Sequence, residues 1–276
     1  MPELPEVETV VRELEPLLKG RRITAVKVSR KGLREPFSAR RAEPILGQRI
    51  RGLMRRGKWI IVCMGGGPDL LIHLGMTGQL MVVPAGEPRA THTHVTFRLD
   101  DGRKELRFRD IRRFGSVSVL PFGERLFDLL SEHGSLGPEP FDMKLSDWRA
   151  RLGATRRCVK AVLLDQRVVA GIGNIYADES LFEARLHPAR PGRDLTPREA
   201  DRLRQAIVTV LNRAIDRRGS SIRNYVGGSG KKGEYQNEFR VYGRTGEACP
   251  RCKTSIHCVR LAGRSTHYCP KCQPIV

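Results

Sequence analysis

No stretch of this 276-residue chain approaches the roughly 18 consecutive apolar residues that a membrane-crossing helix needs. Its first residues are acidic and proline-rich, without the basic start and apolar run of a secretory signal, so a cytoplasmic protein is expected. No basic amphipathic helix carries a bulky apolar face, which argues against a membrane surface as partner. Internal repeats and low-complexity tracts are missing as well. Acid is in short supply: thirty Asp and Glu stand against fifty Lys and Arg, a net charge of +20. Such an excess points to a polyanionic partner, most often nucleic acid, whose counterions are released when a basic surface binds. Seven cysteines in a chain of this length, an odd number, do not fit a secreted disulfide framework.

An apolar content of 39% is enough for real cores, and the length suggests at least two domains. Residues 6–19 read as an amphipathic helix with Val7, Val10, Val11, Leu14 and Leu18 on one face, Pro5 in its first turn and Gly20 at its end. Pro16 would bend or shorten it. Short β-type runs follow at 23–28, 59–64, 70–74, 79–83, 94–99, 105–108 and 116–120, separated by Gly, Pro and Asp-Gly turns. Strands at this spacing predict a β-sandwich or barrel. The glycine- and proline-bearing stretch 132–147 reads as a domain boundary. Beyond it the pattern is helical, most clearly over 196–218, where Thr196 and Glu199 form a capping box, Pro197 suits the first turn and Gly219 stops the helix. Leu203, Ile207, Val210, Leu211 and Ala214 are its predicted buried face. The glycine-rich run 227–233 is either an idle linker or a loop that orders on a ligand.

Near the carboxyl end, Cys249-Pro-Arg-Cys252 and Cys269-Pro-Lys-Cys272 form two knuckles separated by sixteen residues. This spacing predicts a closed tetrahedral site for one structural zinc ion, with disulfides or an iron–sulfur cluster as the alternatives. His257, Cys258 and His267 lie between the knuckles and are surplus to four ligands, while Cys63, Cys158 and Cys258 read as buried or semi-buried thiols. A hairpin is expected between the pairs, with Arg264 near its tip. From Arg240 onward there are seven basic residues and one acid, Glu247, so the hairpin is a natural probe for phosphate.

The amino terminus adds chemistry. Removal of Met1 would expose Pro2, whose α-amino group, with a pKa near 8, is far more often neutral and nucleophilic than a lysine. A secondary amine attacking a sugar aldehyde carbon gives an iminium that cannot lose an N–H proton, and this cation acidifies the neighbouring C2′ proton. Glu3 is positioned to shuttle protons. Alone, a Met-Pro-Glu start is usually only a start.

The segments Met1-Pro2-Glu3-Leu4-Pro5-Glu6-Val7-Glu8-Thr9, 71–78 (LIHLGMTG), Arg112-Arg113-Phe114-Gly115, 171–179 (GIGNIYADE) and the Cys₄ finger occur in the order seen in the bacterial formamidopyrimidine-DNA glycosylases, and the chain resembles that family over essentially its whole length. The resemblance implies an α+β fold: an N-terminal helix and β-sandwich domain over 1–135, a helix–two-turn–helix domain with a lesion-capping loop over 148–238, and a zinc finger over 239–276. It implies a monomer, associated with the nucleoid, that acts on double-stranded DNA containing oxidised bases or abasic sites.

Carried onto matching positions, the resemblance makes Pro2 the Schiff-base nucleophile and Glu3 the acid. Lys58 would move protons during β-elimination, although a solvated strand-edge lysine would read the same way. Arg264 would hold a phosphate and assist δ-elimination. Met76, Arg112 and Phe114 would fill the gap left by an extruded base, with core packing the alternative for Met76 and Phe114. Asn174, at a helix start, suits a phosphate; Arg156, Arg157 and Lys160 would add backbone contacts from the preceding helix; His73, His92 and Tyr242 are further DNA contacts. Residues 221–236 would cap the flipped base. Ile111 and Ala161 stand where the family usually has proline. The implied activity is excision of oxidised purines by a glycosylase and lyase. An oxidised-pyrimidine enzyme of the endonuclease VIII type and a non-catalytic zinc-finger binder are the alternatives.

Overall fold

The computed structural model describes residues 1–120, 136–222 and 225–275. Two compact units emerge, one made of Met1–Glu132 with Arg217–Glu234, the other of His133–Asp216 with Tyr235–Val276.

In the first unit, helix α1 spans Leu4–Leu18, with Pro5 in its first turn and all five apolar residues expected on its inner face buried. It opens on a capping box in which the Glu3 carboxylate accepts the Glu6 N–H and the Glu6 carboxylate accepts the Glu3 N–H, satisfying two of the N–H groups that a helix start leaves bare. Pro16 does not stop it, because the helix has only two residues still to run. Eight antiparallel strands follow: β1 (Ile23–Val28), β2 (Ile50–Arg56), β3 (Trp59–Met64), β4 (Leu70–His73), β5 (Gly78–Pro84), β6 (Thr93–Leu99), β7 (Lys104–Asp110) and β8 (Ser116–Val119). They form two four-stranded sheets, ordered β1-β6-β7-β5 and β2-β3-β4-β8. One apolar core, including Val10, Leu14, Ile23, Ile60, Ile72, Phe97 and Phe108, joins α1 to both sheets. Strand β2 was not visible in the sequence. A register shift between Ile50 and Gly52 breaks the two-residue alternation, and arginines occupy much of the rest.

The stretch Arg217–Glu234, expected in the helical domain, packs instead with this first unit. The cause lies on α1: Glu6 accepts the Ser220 N–H at 2.7 Å, Tyr225 donates its hydroxyl to the Glu6 carbonyl at 3.0 Å, and Glu13 accepts the Ser229 N–H at 2.9 Å.

The second unit contains α2 (Leu145–Gly153), α3 (Val159–Leu164), α4 (Asn174–Glu183), α5 (Pro197–Asp216) and the hairpin of β9 (His257–Leu261) and β10 (Arg264–Tyr268). Within the expected boundary loop, 132–135 lie outside the described residues, and α2 begins before its predicted end. The capping box of α5 is formed, with the Thr196 N–H donated to Glu199 at 2.9 Å and the Glu199 N–H to Thr196 at 3.3 Å. Its predicted inner face is buried throughout. Among the described residues no helix is long and apolar enough to cross a membrane.

Candidate active site and nucleic-acid interface

In the first unit Pro2 and Glu3 are both buried behind an exposed Met1. The capping box fixes Glu3, and Glu6, which completes it, also holds Ser220. Gly219 lies so close that an added Cβ would stand 2.7 Å from the Glu6 carboxylate, and its φ of +73° suits glycine. Lys58 sits with Gly57 in the two-residue turn of the β2–β3 hairpin, whose closing pair is Arg56 and Trp59. It is buried, so the solvated-lysine alternative does not hold. Glu8 of α1 grips this hairpin by accepting Arg55 at 2.8 Å. Burial alone would raise the Glu8 carboxyl, but hydrogen bonds from Arg55 and Arg12 outweigh it and hold it below the usual carboxylate range.

His73 closes β4 with its ring against Trp59, centroids 4.9 Å apart. Burial, reinforced by the charge of Lys58, pushes its pKa down to about 4, so the imidazole is neutral at pH 7. Nδ1 accepts the Gly75 N–H at 3.1 Å, which assigns the ring proton to Nε2 and makes that nitrogen a donor.

Met76, Ile111 and Phe114 are 37%, 39% and 44% exposed, so Met76 and Phe114 are not core residues. The Arg112 guanidinium lies over the Phe114 ring, 4.7 Å from its centroid. His92 is exposed at a φ of 67°. The result is a rim of one cation, one ring and one thioether standing out from a folded edge, the form expected of a wedge between bases. Of the expected capping stretch, 223–224 lie outside the described residues. Its glycine-rich part is fastened to α1, where both the N–H and the hydroxyl of Ser229 donate to Glu13.

In the second unit, Asn174 is the first residue of α4 and donates its side-chain amide to the Ser265 carbonyl at 2.9 Å. That bond ties the helix start to the residue after Arg264, which is exposed at the head of β10, as expected. Arg156 and Arg157 are exposed but precede α3 rather than lying on it, and Arg157 pairs with Asp165 at 2.8 Å. Tyr242 is half-buried, its ring 5.1 Å from that of His267. Lys160 corrects the sequence reading. Its side chain is wholly buried and ion-paired with the equally buried Asp178, so it has no face for a phosphate. The other oxygen of Asp178 accepts both the backbone and the ring N–H of His267, each at 3.0 Å. Cys258, expected to be at least half-buried, is exposed on β9, whereas Cys63 and Cys158 are semi-buried.

The sulfurs of Cys249, Cys252, Cys269 and Cys272 lie within 4.8 Å of one another. The pairs Cys252–Cys269 and Cys249–Cys272 stand 3.4 and 3.9 Å apart, too far for disulfide bonds of about 2.05 Å. They are close to the roughly 3.8 Å that a tetrahedron with 2.3 Å Zn–S bonds requires. Four thiolates also complete the coordination shell, so a zinc ion here would be structural. Ile256, Val241 and Phe182 pack around the knuckles, and Ala262 and Gly263 turn the hairpin with positive φ.

Sequence reasoning missed the buried acids that support these residues. Glu6 could have been noticed at capping-box spacing from Glu3. Asp178 and Glu179 carry no local signal, since their partners lie on other segments, and the bond of Asp110 to Thr77 crosses between loops in the same way, although Arg112 and Gly115 belong to its own loop. Glu179 accepts the N–H groups of Arg240, Val241 and Tyr242. Burial raises its pKa despite those bonds.

Comparison with known proteins agrees with this geometry along the whole chain. Residues 1–117 match the formamidopyrimidine-DNA glycosylase N-terminal domain, 136–226 the H2TH domain of the same enzymes, and 246–275 the zinc finger found in FPG and IleRS. The formamidopyrimidine-DNA glycosylase of Desulforamulus reducens is 46% identical, covering 99% of both chains, and that of Chloroflexus aurantiacus is 46% identical over 99% of this chain and 98% of its own. Among solved structures, Lactococcus lactis Fpg in complex with DNA containing an abasic site superposes with a TM-score of 0.89 at 36% identity, covering 99% of this chain and 100% of that one. MutM in complex with DNA containing carbocyclic 8-oxo-G gives the same TM-score, identity and coverage. With a zinc-finger match over the four clustered cysteines and relatives matching from end to end, the chain belongs to the formamidopyrimidine-DNA glycosylase family.

Proposed function

We propose that this protein is a bifunctional DNA glycosylase and abasic-site lyase that removes oxidised purines, 8-oxoguanine and formamidopyrimidines, from double-stranded DNA. The observation that carries this reading is the amino terminus. Pro2 and Glu3 are buried at the head of α1 in a chain similar throughout to enzymes named for that lesion class. Pro2, freed of Met1, attacks C1′ of the damaged nucleoside. The glycosidic bond breaks, the base departs, and Glu3 protonates the sugar ring oxygen as the ring opens. The resulting iminium acidifies C2′, and Lys58 carries protons while the 3′ phosphate leaves by β-elimination. Arg264 holds the phosphate and assists the δ-elimination that follows.

Met76, Arg112 and Phe114 enter the duplex where the base has left. Arg112 pairs with the orphaned cytosine, and Phe114 holds the step apart. Neutral His73 offers an uncharged N–H, and His92, Arg156, Asn174 and Tyr242 add contacts along the backbone. Residues 221–236 close over the flipped base. In this division of labour 1–135 carries the attack on the sugar, 148–238 the backbone grip and the cap, with the cap's stretch Arg217–Glu234 packed in the first unit, and 239–276 the phosphate arginine. The enzyme works in the cytoplasm, on the nucleoid.

Borohydride trapping tests the assignment. With duplexes carrying 8-oxoguanine opposite cytosine, thymine glycol or an abasic site, a covalent adduct is expected on the first and third, and peptide mapping should find it on Pro2. Trapping mainly on thymine glycol would favour an oxidised-pyrimidine enzyme, no adduct at all would leave only a DNA binder, and an adduct on another residue would remove Pro2 as nucleophile.

A further inference from the structure

Asp110, at the end of β7, is fully buried and belongs to none of the roles above. Its Oδ1 accepts the hydroxyl of Thr77 and the Arg112 N–H at 3.2 Å, while Oδ2 accepts the Gly115 N–H at 2.7 Å. Its own N–H is donated to the His92 carbonyl at 3.0 Å, and its carbonyl lies 2.9 Å from Nε2 of His94. His94 is itself buried, with Nδ1 3.1 Å from the Ser29 hydroxyl. The two loops that Asp110 bridges also touch directly. A Cβ on Gly75 would stand 2.5 Å from the Gly115 nitrogen, and one on Gly115 would stand 2.7 Å from the His73 carbonyl.

One residue therefore joins the segments that carry Met76, His92, Arg112 and Phe114. Met76 and Phe114 are partly exposed, and the Phe114 ring is flanked by the guanidinium groups of Arg34 and Arg112, so their aim depends on the backbone beneath them and on those loop neighbours. That backbone is irregular. Arg113 sits at a φ of 59° and Gly75 at 59°, outside any ladder that would fix it; its Gly115 N–H ends on the Asp110 carboxylate, and its Arg112 N–H is shared between that carboxylate and the Thr77 hydroxyl, 3.1 Å away. A wedge must unstack bases as it enters, and a loop that first had to be ordered would pay that entropy on every encounter.

We infer that Asp110 is a positioning residue for DNA entry: its carboxylate pre-shapes the Met76 and Arg112–Phe114 loops into one rigid wedge without touching DNA. The inference rests on the proposal that this rim enters the duplex. It predicts a dependence on duplex structure, because a single strand has no opposing base stack to part and no orphaned partner to pair. Asp110→Asn preserves size but turns an amide NH₂ towards a neighbouring N–H or O–H donor. Thr77→Val removes one donor to the carboxylate, together with the hydroxyl that shares the Arg112 N–H, and leaves the carboxylate in place.

The experiment measures excision of 8-oxoguanine opposite cytosine and opposite adenine in duplexes. Alongside it runs borohydride trapping on a single-stranded oligonucleotide with one abasic site, using the full chain and its Asp110→Asn, Thr77→Val and double variants. Asp110→Asn should lower kcat/KM on the cytosine duplex at least tenfold and flatten the cytosine-to-adenine ratio. Thr77→Val should lower it about threefold alone and by less than that in the Asp110→Asn background. Single-strand trapping should stay within twofold throughout. Equal loss on duplex and single strand would reduce Asp110 to a general fold residue and overturn the inference, as would an unchanged duplex rate or an unchanged ratio. Should Asp110→Asn fail to fold, an unaffected Thr77→Val overturns it equally. A wild-type chain that traps neither substrate removes the functional proposal; an active wild type in which Phe114→Ala impairs duplex excision and Asp110→Asn does not removes this inference alone.

Discussion

Lys160→Met separates two incompatible accounts of one lysine. As a phosphate contact, Lys160 would be dispensable for folding, and its loss would lower DNA affinity and reduce the salt slope of log K by about 0.9. The structure gives the opposite account. Lys160 and Asp178 are both wholly buried, and the lysine also donates to the Asn174 carbonyl at 3.3 Å. Deleting the cation leaves the buried Asp178 carboxylate with, among the described residues, the two His267 N–H groups as its hydrogen-bond donors. Breaking a buried pair by removing one partner costs about 3–5 kcal/mol. At roughly 3 °C per kcal/mol for a domain of this size, the melting temperature should fall by about 10–15 °C. Lys160→Met with Asp178→Asn removes the stranded charge as well, and it should recover much of the loss. Thermal unfolding, with DNA binding measured at several salt concentrations, decides between the accounts. A Lys160→Met protein that melts within about 2 °C of the wild type, with its salt slope reduced by about 0.9, would refute the burial argument.

Three further outcomes are expected. The His73 ring should titrate near pH 4 by NMR, and Lys58→Met should raise that value while leaving it below 6.5, because burial is the larger cause. The same shift sets the sign of a pH dependence: the unfolded chain binds the His73 proton below about pH 6.5 and the folded chain does not. Stability from this group is therefore complete above pH 6.5, is lost as pH falls towards 4, and declines no further below that. Phe114→Ala should change stability by less than about 1 kcal/mol, since its contacts are exposed, yet depress duplex excision severely; a comparable loss of stability would return Phe114 to the core. Purified protein should contain one zinc per chain, and Cys269→Ser should lose both the metal and the hydrogen-exchange protection of β9 and β10; unchanged values of both would refute the metal site.

What the sequence disclosed followed from how local each signal is. Helix α1 was legible because Val7, Val10, Val11, Leu14 and Leu18 recur at helical spacing. Helix α5 was legible because its cap lies in Thr196 and Glu199, and the finger because cysteine spacing nearly determines sulfur geometry. Strand β2 escaped because a register shift destroyed its period. Lys160 was misread for a related reason: the residue that buries it lies fourteen or more positions along the chain, in another helix. Motif resemblance found Met76 and Phe114, whereas hydrophobicity alone would have sent both inside. It could not find Asp110, whose partners come from three separate segments.

The missed residues have a common character, and it bears on the charge balance. Glu6, Asp110, Asp178 and Glu179 are all buried, and each accepts backbone N–H groups from a segment that carries expected DNA contacts or lies beside one. Glu6 holds Ser220, Asp110 holds Arg112 and Gly115, Asp178 holds His267, and Glu179 holds Arg240, Val241 and Tyr242. A protein that must meet phosphates needs a positive surface, yet cation-rich loops repel one another and resist a single shape. Acids on the surface would calm that repulsion at the expense of the field that attracts DNA. Buried carboxylates aimed at backbone amides order the loops from beneath without adding negative charge to the surface. The +20 charge thus marks the partner, while the scarce acids give the surface that meets it a fixed form.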